Sequence, residues 1–240
     1  MVNGWESSAK PWTDFVDCGD ANREHVLDPA MLSLAGDVSG ARVLDVGCGE
    51  GRFCRLLSDR GARTVGLDPT AELLDEAASR HRAGEYTIGR AESLPFQTLS
   101  FDLVVSYVSL CDIEDYRAAI AEMARVLSTD GRLIVAAHNP FVSSCMCAWH
   151  KDEQGNKLHM PVDNYVEESS ARAKWRGIDV VNYHRSMEAY MTAFLEAGLV
   201  LESFAEPLPS AESIQQVPWL SEYLRVPTFM TMAWRARGRR

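Results

Sequence analysis

A glycine-rich loop follows a short apolar run in the segment VLDVGCGEGR, residues 43–52. Gly47, Gly49 and Gly51 stand within it, although glycine costs backbone entropy and gives a strand no side chain to pack. Three glycines beside a buried strand therefore indicate that a ligand approaches the main chain closely. A helix is predicted to begin at the loop, and its N-terminus would favour an anionic group of that ligand.

Two aspartates near the loop narrow the choice of ligand. A dinucleotide-binding loop of the form G-x-G-x-x-G requires a third glycine at position 52, where the chain has Arg52. Asp45, two residues before Gly47, would repel a pyrophosphate and could instead hold an ammonium group. Asp68 ends the next predicted strand, about 20 residues after the loop, where a carboxylate can accept both hydroxyls of a ribose. The pattern predicts a ligand that contains a nucleoside but is not a dinucleotide.

The pattern of apolar residues predicts alternating strands and helices, which would position these residues. Apolar runs bounded by turn residues predict strands at 42–46, 64–67, 86–88, 101–106 and 133–137. Helical spacing predicts helices at 24–35, 50–59, 70–81 and 114–127. Such alternation implies parallel pairing, with helices on both faces of the sheet. We therefore predict an α/β fold, Rossmann-like and doubly wound, in which ligands bind beyond the carboxyl ends of the strands.

The alternation stops at residue 139. Residues 139–185 have no clean period and are too long for an ordinary loop, so we interpret them as a lid-like insertion on the substrate side. A helix at 186–197 and strands at 199–204 and 228–233 then complete a seven-stranded, mostly parallel sheet with an antiparallel edge pair. We predict one domain, residues 1–240, in four parts: an N-terminal helical cap (1–40), a ligand-binding core (41–138), the insertion (139–185), and a C-terminal helix with closing strands (186–240).

The charge and the cysteines limit the partners. The formal net charge is −10, and an acidic surface repels nucleic acid and anionic lipid. No apolar run is long enough to span a bilayer, and the N-terminus is too polar for a signal peptide. The six cysteines are scattered through a chain that needs no disulfides, so we expect reduced thiols. These features predict a cytoplasmic protein, monomeric or homodimeric, that binds neither nucleic acid nor membrane.

Four motifs in order, VLDVGCGEGR, GLDPT, GRAESLPF and FDLVVSY, resemble those of the class I S-adenosylmethionine-dependent methyltransferases. The resemblance covers residues 42–138. Residues 183–209, together with RVPTF at 225–229, are similar to the C-terminal part of small-molecule methyltransferases in that superfamily. The resemblance implies an enzyme that uses S-adenosyl-L-methionine and transfers its methyl group, by in-line displacement, to an oxygen or nitrogen of a small molecule.

The same resemblance implies which residues bind the cofactor. Gly47 and Gly49 would admit its methionine part, with Asp45 positioning the amino group. Asp68 would bind the ribose hydroxyls, and Arg23 is a candidate partner for the carboxylate. The complete implied set is Arg23, Asp45, Gly47, Cys48, Gly49, Asp68, Pro69, Ala91, Glu92, Ser106 and Tyr107.

Arg90 departs from the family pattern. The family usually has an acid at this position, which accepts a hydrogen bond from the adenine amine, and arginine cannot accept one. Adenine recognition must then shift to Glu92 or to backbone carbonyls, or Arg90 must point to solvent.

Methyl transfer depends mainly on aligning the acceptor atom with the methyl group, because a sulfonium methyl is already activated. Tyr107 is a candidate to place an aromatic face near the positive sulfur. A hydroxyl or ammonium acceptor also needs a base, and histidine suits neutral pH. His138, which ends the fifth strand, and His184, before the C-terminal helix, are the candidates.

Residues of the insertion are predicted to bind the acceptor. Trp149, Tyr165 and Trp175 would wall a pocket for an apolar or aromatic molecule. His150 lies among them, and Arg185 could bind an acidic acceptor. Three aromatic residues of the cap could close the pocket from above: Trp5, Trp12 and Phe15.

The sequence leaves three alternatives to a small-molecule methyltransferase without a metal. A non-catalytic module with the same cofactor pocket is supported only by Arg90. A protein or RNA methyltransferase is disfavoured by the low basic charge and by the lack of an Asn/Asp-Pro-Pro-Tyr/Phe motif. A zinc site at Cys145, Cys147, His150 and His159 would need the spacing C-x-C-x2-H-x8-H, which fits no familiar structural site, so we predict no metal.

Overall fold

A seven-stranded sheet forms the centre of the computed structural model, which describes residues 3–145 and 148–237. Its strands lie in the order β10-β11-β5-β4-β1-β2-β3. These strands are β1 (Arg42–Val46), β2 (Arg63–Asp68), β3 (Glu85–Ile88), β4 (Phe101–Tyr107), β5 (Leu127–His138), β10 (Leu199–Ala205) and β11 (Phe229–Ala236). All run in the same direction except β11, which is antiparallel to both of its neighbours. The predicted α/β fold class is confirmed.

Helices cover both faces of this sheet. The described α-helices of the chain are α1 (Trp5–Asp17), α2 (Asp28–Ala35), α3 (Arg52–Ser58), α4 (Ala71–Arg80), α5 (Tyr116–Val126), α6 (Pro140–Ser143), α7 (Met187–Glu196) and α8 (Ala211–Gln216). On one face Met31 and Leu57 pack with Val43 of β1. On the other, Ile120 and Phe194 belong to the second apolar cluster of the sheet. The central strands are therefore buried from both sides, which explains their continuous apolar runs.

Strand β5 begins earlier than the sequence predicts. In the pairing between β4 and β5, Phe101 lies opposite Leu127, and the next pair is Leu103 opposite Arg132. Between these two pairs β5 advances by five residues and β4 by two. The residues between the predicted helix at 114–127 and the predicted strand at 133–137 therefore form a bulge inside β5, because pairing resumes beyond them.

The insertion consists of α6 and two hairpins, although its sequence has no clean period. The hairpins pair β6 (His150–Lys151) with β7 (Lys157–His159), and β8 (Ser169–Trp175) with β9 (Ile178–His184). The second hairpin packs against α1. The carbonyl of Asn3 accepts from the Val181 N–H at 2.9 Å, and the Ser8 hydroxyl accepts from the Asp179 N–H at 3.0 Å. Helix α1 and the β8–β9 hairpin together form a cover over the sheet.

No described helix is both long enough and apolar enough to cross a bilayer.

Candidate active site

A cavity of about 1530 Å³ opens beyond the carboxyl ends of β1, β2 and β4. The glycine loop forms its floor, and the cover of α1 and the β8–β9 hairpin lies opposite, with Trp12 and Trp175 in the wall. Pockets for a single small ligand usually measure about 300–1,000 Å³. The cavity therefore has room for a nucleoside-containing ligand and a second molecule beside it.

The loop needs glycine for two different reasons. Gly47 has φ 78°, and a Cβ there would lie 2.5 Å from the Cβ of Ser109, so the segment after β4 packs directly on the loop. Gly49 has φ 54°, and a Cβ there would meet only the Trp12 Nε1, at 3.7 Å. The space in front of Gly49 belongs to the cavity. Gly47 thus shapes the loop, and Gly49 leaves its backbone open to a ligand.

Asp68 ties the loop to the next strand end. Its carboxylate accepts from the Gly49 N–H at 3.0 Å and from the Thr70 N–H at 2.9 Å. Burial raises its pKa, although both backbone donors lower it. The Thr70 side chain also donates to Asp68. A carboxylate has about four acceptor positions, so one remains for a ribose hydroxyl. This geometry fits the role that the resemblance implies.

Asp45 presents an unsatisfied acceptor to the cavity. Its Oδ1 has no hydrogen-bond partner, and only 2% of the residue is exposed. Its Oδ2 accepts from the Cys54 thiol at 3.6 Å, and burial raises the pKa of the carboxyl to about 7. A buried acceptor without a partner is costly. An ammonium group of a ligand would satisfy it, so the residues fit the amino-acid end of S-adenosylmethionine.

Arg23 is held by aromatic rings at the same end of the cavity. It begins a π-helical turn, Arg23–Leu27, that precedes α2. Its guanidinium lies 4.7 Å from the ring centre of Trp12 and 5.3 Å from that of Tyr107, and its Nε lies 3.5 Å from Asp20. A guanidinium held this way is placed to meet a carboxylate.

The hydroxyl of Tyr107 is engaged elsewhere. It donates to Asp28 at 2.7 Å, and Arg52 contacts both oxygens of the same carboxylate. Tyr107 lines the cavity through its ring, beside Arg23. Its contact with the sulfonium stays a prediction, but its hydroxyl does not serve as a proton donor or base in this arrangement.

The structure shows where Arg90 lies at the end of the cavity that is expected to bind adenine. Its side chain is 69% exposed and pairs with Glu92 at 2.8 Å. Arg90 is therefore largely exposed at the cavity wall, and it pairs with the carboxylate that was expected to replace the missing acid. Ala91 and Pro69 line the cavity as expected.

Ser106 does not reach the cavity, contrary to expectation. It is fully buried, and its hydroxyl lies 2.8 Å from that of Ser109. Ser109 lines the cavity instead, and its hydroxyl donates to the Val46 carbonyl at 2.7 Å. Ser106 supports the wall from inside the sheet.

The two predicted histidines lie in different places. His138 lines the cavity and stacks on Phe229, with ring centres 5.2 Å apart. Burial lowers its pKa to about 4, so its imidazole is neutral at physiological pH. His184 is outside the described walls of the cavity. Its Nε2 donates to the Tyr165 carbonyl at 2.8 Å, and its Nδ1 lies 2.7 Å from the Ser143 hydroxyl. The role of His184 as a base stays a prediction, and in this arrangement both of its nitrogens contact the insertion.

His184→Ala is expected to lower the thermal midpoint without weakening cofactor binding. The change leaves buried polar partners unpaired, at a cost of about 1–3 kcal/mol, or about 2–10 °C for a chain of this size. Thermal denaturation and titration with S-adenosylmethionine would measure the two effects. Slower methyl transfer at an unchanged midpoint would support His184 as the base.

The residues predicted to bind the acceptor also lie outside the described cavity walls, apart from Trp175. Arg185 is buried and donates to the carbonyls of Leu110, Ile113 and Glu114, so it holds the segment after β4 rather than a substrate.

The other three predicted acceptor residues contact the insertion and its neighbours. The guanidinium of Arg225 lies 4.5 Å from the ring centre of Trp149. His150 faces His159 across the β6–β7 hairpin, with ring centres 5.0 Å apart. The Tyr165 hydroxyl accepts from the Met187 N–H at 3.0 Å.

Cys147 of the zinc alternative lies outside the described residues. Within the described ranges, no three potential ligands come together as a metal site.

Sequence reasoning missed Asp112. It ends the short 3₁₀ turn Leu110–Asp112 after β4 and lines the cavity. The Asn182 amide donates to its Oδ1 at 2.6 Å, and burial raises its pKa to about 7. Nothing in the local sequence marks this position, because Asn182 comes from the distant hairpin.

Comparisons with known proteins agree with this geometry. The family described as "Methyltransferase domain" matches residues 44–135. A solved S-adenosylmethionine-dependent methyltransferase of Mesorhizobium loti superposes with a TM-score of 0.79 at 27% identity, covering 91% of this chain and 99% of that one. An uncharacterized protein of Haemophilus influenzae is 26% identical over 213 residues, covering 83% of this chain and 82% of the other.

A further relative is known by its reaction. A malonyl-[acyl-carrier protein] O-methyltransferase of Erwinia billingiae is 34% identical over 114 residues. That alignment covers 48% of this chain and only 45% of the relative, so this chain matches under half of that protein.

Proposed function

This chain is a class I S-adenosylmethionine-dependent methyltransferase, and we propose that it methylates an oxygen or nitrogen atom of a small molecule. The observation that carries this proposal is the cavity. Asp45, Asp68 and the open backbone at Gly49 provide for the cofactor, and the remaining volume leaves space for an acceptor. The cover over the cavity favours a small acceptor, because a folded macromolecule would have to displace it.

The bound cofactor supplies an activated methyl group on a sulfonium. The chain aligns and shields that group. Arg23 and Asp45 hold the amino-acid end, and Asp68 holds the ribose. Trp5 and Trp12 of α1 exclude water from above. Alignment of the acceptor atom with the methyl group then accounts for most of the rate.

His138 is the residue we assign to the proton of the acceptor. It lies at the end of β5, in the cavity wall, and its neutral imidazole can accept a proton at physiological pH. Its low pKa makes it a weak base. It therefore suits an acceptor that loses its proton late, as positive charge develops on the attacking atom.

The reaction of the Erwinia relative supports oxygen as one possible acceptor atom, but its alignment covers only half of this chain. The alternative of a non-catalytic module rests only on Arg90, which pairs with Glu92 in the cavity wall and leaves Asp45 and Asp68 in place. The free thiols at Cys18, Cys48, Cys54 and Cys145 support a reducing compartment such as the cytoplasm.

Calorimetric titration with S-adenosylmethionine and S-adenosylhomocysteine tests the proposal first. We expect both to bind with micromolar dissociation constants, one molecule per chain. A screen of small molecules, proteins and RNA with labelled methyl donor would then identify the acceptor class. If neither ligand binds, the proposal is wrong. If label is transferred only to protein or RNA, the small-molecule acceptor is wrong, and only the use of the cofactor stands.

A further inference from the structure

Four aromatic rings follow one another along the wall of the cavity beside β5. The ring centres of His138 and Phe229 are 5.2 Å apart, and Tyr223 lies 6.1 Å beyond Phe229. Trp219 follows at 6.4 Å from Tyr223, so each ring is in direct contact range of the next. Phe229 and Tyr223 are buried in the middle. His138 and Trp219, at the two ends, line the cavity, and we call the four residues the aromatic row.

Trp219 turns its side chain away from the core. It belongs to the 3₁₀ segment Pro218–Leu224. Residues three apart lie on the same side of a 3₁₀ helix, so Leu220 and Tyr223 are buried together. Trp219 lies on another side of the segment, and 47% of the residue is exposed. An indole with this much free apolar surface in a cavity wall offers a platform to a ligand.

A hydrogen bond connects the aromatic row to the cofactor end of the cavity. The Tyr223 hydroxyl donates to the Asn22 Oδ1 at 2.6 Å. Asn22 lines the cavity and directly precedes Arg23. The position of the row is therefore tied to the turn that also places Arg23.

The strand order separates the aromatic row from the residues assigned to the cofactor. Asp45 and Asp68 lie on β1 and β2, and the sheet continues on the other side of β1 through β4 to β5 and β11. His138 ends β5, and Phe229 begins β11. A cofactor held by β1 and β2 leaves the part of the cavity beside β5 to the acceptor.

The described wall in this part of the cavity is uncharged. Of the described residues of β5, the 3₁₀ segment and β11, only His138 and Trp219 line the cavity. Burial lowers the pKa of His138 to about 4, so its ring is neutral at physiological pH. Each cationic side chain elsewhere in the described wall already contacts an acidic side chain or an aromatic ring. The aromatic row therefore suits an uncharged acceptor better than an anion.

We propose that Trp219 and His138 bind the acceptor, and that the acceptor is an uncharged molecule with a planar aromatic ring that carries a hydroxyl or amino group. This inference rests on the proposed function. The ring lies on Trp219, and its hydroxyl or amino group faces His138. The methyl group moves from sulfur to the oxygen or nitrogen atom, whose proton passes to His138, and both electrons of the broken carbon–sulfur bond stay on sulfur. The acceptor residues thus come from the C-terminal part of the chain rather than from the insertion.

Three probes with two fused six-membered rings test the acceptor class. At about pH 7, 1-naphthol is planar and uncharged, decahydro-1-naphthol is uncharged but not planar, and 1-naphthoate is planar but anionic. Their dissociation constants would be measured by calorimetry with protein saturated with S-adenosylhomocysteine. We expect 1-naphthol to bind about fivefold more tightly than either of the other two.

Two substitutions of Trp219 locate the binding surface. We expect Trp219→Ala to weaken binding of 1-naphthol about fivefold and that of decahydro-1-naphthol less, with the affinity for S-adenosylhomocysteine unchanged. Trp219→Phe keeps an aromatic ring and should retain most of the affinity for 1-naphthol. Trp149→Ala is the matched control, because it removes an indole that lies outside the described cavity walls.

Equal affinities of wild-type protein for the three probes, or no binding of 1-naphthol, would overturn this inference alone. The same holds if Trp219→Ala keeps the preference of wild-type protein for 1-naphthol. Failure of wild-type protein to bind S-adenosylhomocysteine would overturn the proposed function as well.

Discussion

Replacement of Asp68 by alanine is expected to weaken binding of S-adenosylmethionine by at least tenfold. The carboxylate has two tasks, because it accepts backbone donors from Gly49 and Thr70 and faces the site of the ribose. Its removal leaves two backbone N–H groups without their acceptor and takes the partner away from the ribose hydroxyls. Each buried polar group left unpaired costs about 1–3 kcal/mol, and a tenfold effect requires about 1.4 kcal/mol, so the combined losses are large enough. Calorimetric titration would measure it.

Asp102→Ala is the matched control. Asp102 is an exposed residue of β4 that accepts from the Arg42 N–H at 2.9 Å, outside the cavity. The same chemical change there should leave cofactor affinity unchanged. If Asp68→Ala bound the cofactor as tightly as wild-type protein, the ribose assignment would be wrong.

Gly47→Ala is expected to disrupt the loop itself. A methyl group there would lie 2.5 Å from the Cβ of Ser109, on a backbone with φ 78°. Overpacking costs about 1–3 kcal/mol and a left-handed alanine about 1–2 kcal/mol more. We expect the thermal midpoint to fall by about 5–15 °C and cofactor binding to become undetectable.

Gly49→Ala is expected to weaken cofactor binding more than it lowers the stability of the fold. Its methyl group would meet only Trp12, at 3.7 Å, and would project into the cavity. We expect a fall in affinity of at least tenfold with a smaller loss of stability than in Gly47→Ala. Equal midpoints for the two variants would show that Ser109 does not press on the loop as the structure indicates.

Much of the cofactor half of the site follows from local sequence. Asp45, Gly47 and Asp68 lie at the ends of short apolar strands, and the ends of parallel strands meet at one edge of a sheet. Their relative positions therefore depend on the strand order and little else. The bounds of β1 and β2 could be predicted within a residue for the same reason.

The acceptor half could not be predicted, because its residues depend on partners far along the chain. Arg185 is buried under carbonyls of residues 110–114, and His184 reaches back to Ser143. A polar side chain in an irregular segment has no periodic neighbours that indicate its direction. Asp112 was missed for the same reason, since Asn182 donates to it from a hairpin 70 residues further along the chain.

The π-helical turn at Arg23–Leu27 has a consequence for how this site can vary. Such a turn contains one residue more than an α-helical turn, so it has the form of a single-residue insertion. Without the extra residue, Arg23 would be rotated by about 100° around the helix axis, away from Trp12 and Tyr107. The helix is less regular so that one arginine can face the cavity. The position of this arginine beside the two rings therefore depends on a single extra residue in the backbone.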